Sequence, residues 1–272
     1  MAVSQTIPQN LKFIGEKLLS CYLSSSIATR ACKPPRLVAV SKTKPKEMII
    51  EAYQAGHRDF GENYVQELVE KSNDVDLLKF CPHINWHFIG NCQTKNAKKL
   101  AQCPRLVVIE TITSTKLADK LQSQFSEQTK RTGKNNIVEV MVQVNTSGEE
   151  NKNGIQPGPD VLSTVMHIKE KCPNLKFVGL MTIGALGNSL ATTSTHSQED
   201  NPDFLRLIEC RKRLASALNI EEKSLELSMG MSNDFLDAIK MGSTNIRVGS
   251  SIFGARSYPP KVLKIMSNRR NN

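Results

Sequence analysis

Two groups of residues in this chain have the types and spacing for joint chemistry. The first is Lys42, at the downstream end of the apolar run Arg36-Leu-Val-Ala-Val-Ser-Lys-Thr-Lys-Pro45 and immediately before a helix. An apolar setting disfavours the charged form of an amine, which is how a protein makes a lysine nucleophilic near neutral pH. Lys44, two positions on, reads as the solvated lysine of the same loop. The second group lies some two hundred residues downstream, in Met229-Gly-Met-Ser232-Asn-Asp and Arg247-Val-Gly249-Ser250. Ser232 offers a hydroxyl at a helix start, where one serine can cap the helix and hold an anion. Gly249 permits close backbone approach, and Ser250 adds an N–H or a hydroxyl. Arg247 precedes Gly249 by two residues, so in an extended strand both face one side.

These residues need elements to bring them together, and the chain supplies a regular series. From Arg36 onward, short apolar runs alternate with segments of helical period: Leu37–Ser41, Asp59–Tyr64, Ile84–Gly90, Leu106–Ile112, Ile137–Asn145, Phe177–Ile183, Leu225–Met231 and Asn245–Phe253. Pro45 opens a helix that Gly56 ends, Ser114 begins another, and Asn201-Pro-Asp203 a third. Eight such runs, seven followed by a helix and none joined by hairpin signals, predict an α/β chain folded as a single-domain (β/α)8 TIM barrel. No Gly-x-Gly-x-x-Gly follows any run, against a dinucleotide fold. In such a barrel chemistry sits at the C-terminal strand ends, and phosphate at the loops after strands seven and eight. Lys42 then faces a phosphate cradle with Arg247 beside it. This set fits an aldehyde bearing a phosphate: pyridoxal 5′-phosphate as a Schiff base on Lys42, or a sugar phosphate in a Schiff-base aldolase.

Residues 1–35 read as an N-terminal helical segment packed on the barrel, because Leu11, Ile14, Leu18, Leu19, Cys21 and Tyr22 recur at helical spacing. Their basic, serine-rich composition also suits a transit peptide, which leaves mitochondrial or other organellar targeting open beside a cytoplasmic site. The barrel is assigned to 36–258, with 184–201 as a mobile surface loop and 259–272 as a basic tail. In 272 residues there is no apolar run of the roughly 18 residues a membrane span needs. Seven scattered cysteines without a Cys-x-x-Cys pair argue against a disulfide framework or a zinc site and for a reducing compartment. The net charge of +10 raises nucleic-acid binding as a reading, but the charge is dispersed and aromatics are 5%.

At these residues the chain resembles the pyridoxal-phosphate homeostasis proteins, which consist of the fold-type III barrel of alanine racemase alone. The likeness runs from about Arg36 to Tyr258, through Ser41-Lys-Thr-Lys-Pro45, Phe60-Gly-Glu-Asn-Tyr64, Trp86-His-Phe-Ile-Gly90, Gly179-Leu-Met181, Leu227-Ser-Met-Gly-Met-Ser232 and Val248-Gly-Ser-Ser-Ile-Phe-Gly254. The resemblance implies that Lys42 carries the cofactor as an internal aldimine. Ser232, Gly249 and Ser250 would hold its phosphate, Arg247 would face the pyridine nitrogen, and Asn63 would lie near the ring. The family usually has leucine where Cys92 stands and often aspartate where Asn233 stands. His87 and Asn145 are candidates for the pocket wall, though a satisfied strand residue is the simpler reading of each.

Two classes of function follow. A racemase of the alanine racemase type would need a second acid or base opposite Lys42; there it comes from a further C-terminal domain, and this sequence stops soon after Phe253-Gly-Ala-Arg-Ser-Tyr258. The expectation is therefore a non-catalytic carrier or buffer of pyridoxal 5′-phosphate in vitamin B6 homeostasis, a monomer or weak dimer with PLP-dependent apoenzymes as recipients and no metal.

Overall fold

The structure is a computed structural model that describes residues 6–134, 136–149, 152–185 and 200–255. Eight parallel strands follow one another around a closed barrel: β1 Arg36–Val40, β2 Asp59–Glu62, β3 Asn85–Phe88, β4 Leu106–Ile112, β5 Val138–Gln143, β6 Leu175–Met181, β7 Glu226–Met231 and β8 Asn245–Val248. Closure is made by β8 against β1, from Arg36 opposite Asn245 to Ala39 opposite Val248. The expected (β/α)8 architecture is thus the one observed.

Helices cover the outside of the barrel. After β1 comes α2 Lys46–Gln54, with Pro45 as its N-cap and Ile49, Ala52 and Tyr53 buried. Next are α3 Val65–Ser72, α4 Val75–Phe80 and α5 Ala97–Ala101. α6 Thr115–Thr132 starts where the Ser114 hydroxyl accepts from Leu117 N–H, and α7 is Pro159–Lys171. In α8, Pro202–Leu218, the Asn201 side chain accepts from Asp203 N–H. α9 Phe235–Lys240 and a last turn, α10 Ser250–Phe253, complete the series.

Before the barrel, α1 Ile7–Ser24 buries Ile7, Leu11, Ile14, Leu18 and Tyr22. It packs against α2, α9 and α10, as the amphipathic pattern predicts. Leu19, counted above with the apolar face, points to solvent instead. Three other expectations need correction. α4 follows α3 directly, capped by Asp74, where no separate helix was foreseen. The run Asn245–Phe253 is strand only to Val248, because Gly249 turns the chain into α10. The helix after β7 starts at Phe235, so Ser232 lies in the preceding turn and is not its N-cap. Residues 186–199 of the polar loop and the tail from 256 lie outside the described residues. No helix among those described is long and apolar enough to cross a membrane.

Side chains alternate along each strand, so the barrel has two interiors. Outward residues such as Ala39, Phe60, Trp86, Phe88, Val140 and Leu227 join the helices in one apolar cluster. Val38, Val40, Ile89, Val108, Met141 and Met181 are buried but stand outside that cluster, in the lumen. The lumen also holds buried His87, Glu110, Ser228 and Arg247.

Candidate functional site

The C-terminal strand ends enclose a cavity of about 190 Å³. Lys42, Asn63, Ser232, Arg247, Gly249 and Ser250 all line it. Sequence reasoning nominated each of these six, and the fold brings them to one mouth. The rest of the wall is largely apolar, from Val40, Ile89, Met181, Ile183 and Met231.

Lys42 owes its place to the peptide groups on either side of it. On the carbonyl before it, Ser41 O accepts from Lys71 Nζ at 2.7 Å. On the amide after it, Thr43 N–H donates to Glu67 Oε1 at 2.6 Å. Lys71 Nζ joins the two, donating to Glu67 Oε1 at 2.6 Å and Glu62 Oε1 at 2.7 Å. The Ser41 hydroxyl donates to the same Glu62 oxygen at 2.6 Å. Thr43 has φ 61°, in the left-handed region that a β-branched residue rarely adopts. A buried charge cluster between the barrel wall and α3 therefore grips a strained backbone from behind Lys42. Burial raises the Glu62 carboxyl to about 7 despite the opposing Lys71 charge.

Lys44, expected to be the solvated lysine, is only 7% exposed. Its Nζ donates to the carbonyls of Phe253, Gly254 and Ala255 at 2.9, 3.1 and 2.6 Å. Cations suit unsatisfied helix C-terminal carbonyls, so Lys44 ties the β1 loop to the end of α10 and closes that side of the cavity. Burial lowers its pKa.

Across the mouth, Gly249 N–H donates to the Ser232 hydroxyl at 3.3 Å. A Cβ on Gly249 would lie 3.2 Å from Val40 O, so the last strand can close against the first only with glycine or a small shift there. Gly90 is a stronger case: its Cβ would fall 1.7 Å from Asn63 O. That close approach seats Asn63, whose buried Oδ1 has no hydrogen-bond partner among the described residues. An unsatisfied buried acceptor beside a cavity marks a ligand-facing position.

Arg247 is buried. Its guanidinium donates to Ser228 Oγ at 2.5 Å and to Thr182 O at 2.6 Å. Burial pushes its pKa down, opposed by the nearby Glu110 carboxylate. His87 lies deeper in the lumen and does not line the mouth; Asn145 lines a neighbouring small cavity, its amide donating to Glu149 O at 2.9 Å. Both are satisfied strand-end residues, as the simpler reading had it. What sequence reasoning missed is the support: Glu62, Lys71, Glu67 and Lys44. The signals for the first three were a glutamate at the end of an apolar run and an i,i+4 Glu–Lys pair on the next helix.

A phosphate-bearing aldehyde fits these groups: an amine from β1, an unsatisfied amide oxygen, and hydroxyl and backbone donors at the turn into α10.

Comparison with known proteins follows the same lines. Residues 25–257 match the family model of the alanine racemase N-terminal domain. The human pyridoxal phosphate homeostasis protein is 53% identical over 227 residues, covering 84% of this chain and 78% of that protein. Its Haemophilus influenzae counterpart is 37% identical over 252 residues, 93% of this chain and 97% of that one. Among solved structures, PipY of Synechococcus elongatus PCC7942 with PLP bound superposes with a TM-score of 0.64 at 29% identity, over 89% of this chain and all of that one. Alanine racemase from Corynebacterium glutamicum, at 14% identity and a TM-score of 0.60, shares the fold over 92% of this chain and 61% of its own. With the barrel, the mouth and these relatives in agreement, the chain belongs to the pyridoxal phosphate homeostasis proteins, built on the alanine racemase N-terminal barrel.

Proposed function

We propose that this chain binds pyridoxal 5′-phosphate covalently through Lys42 and carries or buffers it without turning over a substrate. The observation that carries this reading is the shared mouth, in which Lys42 lies across from Ser232, Gly249 and Ser250 on a single cavity. When bound, the cofactor would supply an aldehyde, and Lys42 is the amine that would hold it, with loss of water. Ser232 and the N–H groups of Gly249 and Ser250 would hold the phosphate, Asn63 would orient the ring edge, and Arg247 would face the ring nitrogen. A guanidinium there stays charged and gives up no proton, so the ring remains a weak electron sink. The described lining contains no carboxylate, histidine or tyrosine that could work opposite Lys42, and the remaining amine, Lys44, is committed to three backbone carbonyls. Both features support holding over catalysis. All six binding residues come from one chain, as suits a monomer or weak dimer handing the aldehyde to apoenzymes from a barrel spanning 36–258.

The test is direct. Purified chain mixed with the cofactor should develop a visible absorption band that borohydride fixes on the peptide carrying Lys42. Retention of that adduct in Lys42→Ala would overturn the assignment. Chirality of L- or D-alanine should persist on incubation; racemisation at ordinary enzyme rates of about 1–1000 per second would instead establish an enzyme.

A further inference from the structure

A line of charge runs down the lumen from the mouth, and the cofactor reading does not account for it. Arg247 donates to the Ser228 hydroxyl, which donates in turn to Glu110 Oε2 at 2.6 Å. Glu110 Oε1 lies 3.1 Å from His87 Nδ1, and His87 Nε2 lies 3.2 Å from Asp59 Oδ1. Ser228, Glu110 and His87 are fully buried, and Asp59 and His87 reach a polar cavity of about 970 Å³ at the opposite end of the strands. The strand interiors of such barrels are ordinarily filled with branched apolar side chains.

The geometry and charges of this line favour one protonation pattern. Asp59 and Glu110 are both held below the usual carboxylate range, and an ionised carboxylate only accepts, so a histidine between two of them donates from both ring nitrogens. His87 is then an imidazolium, and the lumen reads Arg⁺, Glu⁻, His⁺, Asp⁻ from the mouth downward. Burial alone would push His87 towards neutrality, but Asp59 and Glu110 outweigh it and raise its pKa. Glu110 is held low by His87 and Arg247 against its own burial. Other titratable and charged groups near the line are His57, which burial keeps towards neutrality, Arg36, Glu226 and Glu139 around Asp59 and the lower end, and Asp234 near Arg247.

We propose that His87 and Glu110 are positioning residues for the cofactor ring, acting through Ser228 to hold Arg247 in place and to set the electrostatic potential at the ring nitrogen. The proposal rests on the reading of Lys42 and Arg247 given above. Its consequence is that the proton on His87, near the opposite end of the barrel, tunes the titration of the bound cofactor. Removing the positive charge of His87 makes the lumen more negative, so protons at the mouth are held to higher pH. At an effective dielectric of about 20, a unit charge roughly 10 Å away moves a titration by about one pH unit.

The experiment uses the full chain loaded with pyridoxal 5′-phosphate and follows its absorption against pH in wild type, His87→Gln and Ser228→Ala. Borohydride should fix the adduct on Lys42 in all three. His87→Gln should raise the midpoint of the absorption change by about one pH unit. Ser228→Ala, which breaks the bridge without changing charge and tests the proposal even if the first variant fails to fold, should weaken cofactor binding about tenfold and shift the absorption maximum. Loaded variants with the wild-type midpoint, maximum and affinity would show that the line serves only the fold, and would overturn the proposal. A wild-type chain that forms no adduct on Lys42 would instead bring down the cofactor reading, and the proposal with it.

Discussion

Replacing Lys71 with methionine tests whether the charge cluster behind Lys42 holds it in place. The substitution keeps most of the length of the side chain and removes three hydrogen bonds, to Ser41 O, Glu62 Oε1 and Glu67 Oε1. The cost depends on pH because Glu62, with its carboxyl raised to about 7, can escape an unpaired charge by taking a proton. At pH 6 Glu62 is mostly neutral in both proteins, and the variant loses only hydrogen bonds, about 2 kcal/mol in all. Above about pH 7 Glu62 ionises beside Lys71 in the folded wild type and its stability levels off, whereas in the variant the folded carboxyl stays protonated and stability keeps falling, by about 1.4 kcal/mol per pH unit. Lys71→Met should therefore cost about 2 kcal/mol at pH 6 and about 3–4 kcal/mol at pH 8, approaching the range for breaking a buried ion pair. Urea unfolding of the cofactor-free chain at the two pH values measures this. The released Ser41 carbonyl and Thr43 amide should also weaken the adduct on Lys42. A loss below about 1 kcal/mol, equal at both pH values and with an unchanged adduct, would refute the reasoning.

Two more predictions concern the same segment. Thr43→Gly should stabilise the chain by about 1 kcal/mol, because left-handed strain of about 1–2 kcal/mol and an unpartnered buried hydroxyl outweigh the extra chain entropy of glycine; the same change should loosen Lys42, and thermal unfolding with cofactor titration reads both. Glu62→Gln addresses pH directly: a carboxyl raised from 4.5 to about 7 contributes stability below 4.5 that is lost as pH rises through 7. Relative to the glutamine variant, wild type should lose about 3 kcal/mol between pH 4.5 and 8, and a pH-independent difference in unfolding midpoints would contradict it.

The barrel was legible in the sequence because parallel strands covered on both sides are apolar throughout, and runs such as Leu106–Ile112 have the bounds of the strand itself. The mouth was legible for a related reason: Lys42, Ser232 and Arg247 stand where apolar runs end, and strand ends converge in a closed barrel. Lys71 and Glu67 were not, since an i,i+4 Glu–Lys pair on an amphipathic helix looks like a solvated face. Only the pairing of β1 with β2, which sets Ser41 N–H on Gly61 O at 3.0 Å, brings the backbone around Lys42 to Glu62, Glu67 and Lys71. Lys44 failed for the opposite reason. Its partners are backbone carbonyls more than two hundred residues away, and carbonyls leave no mark on a sequence. Glu110 left one, a lone acid inside an apolar run, but its meaning depends on His87 and Ser228 facing the same lumen.

Lys42 and Arg247 line the same cavity, yet their supports lie on opposite sides of the strand wall. The cluster of Glu62, Glu67 and Lys71 grips the backbone of Lys42 from the helix side, while Ser228, Glu110 and His87 hold Arg247 from the lumen. A barrel that fixes an amine from outside and a guanidinium from within leaves only a small mouth between them to be filled by ligand. Such a site restrains Lys42 through its backbone and Arg247 through its charge. Under the proposed function this is the arrangement a cofactor carrier requires, and one that a racemase would have to supplement with a group aimed at a substrate.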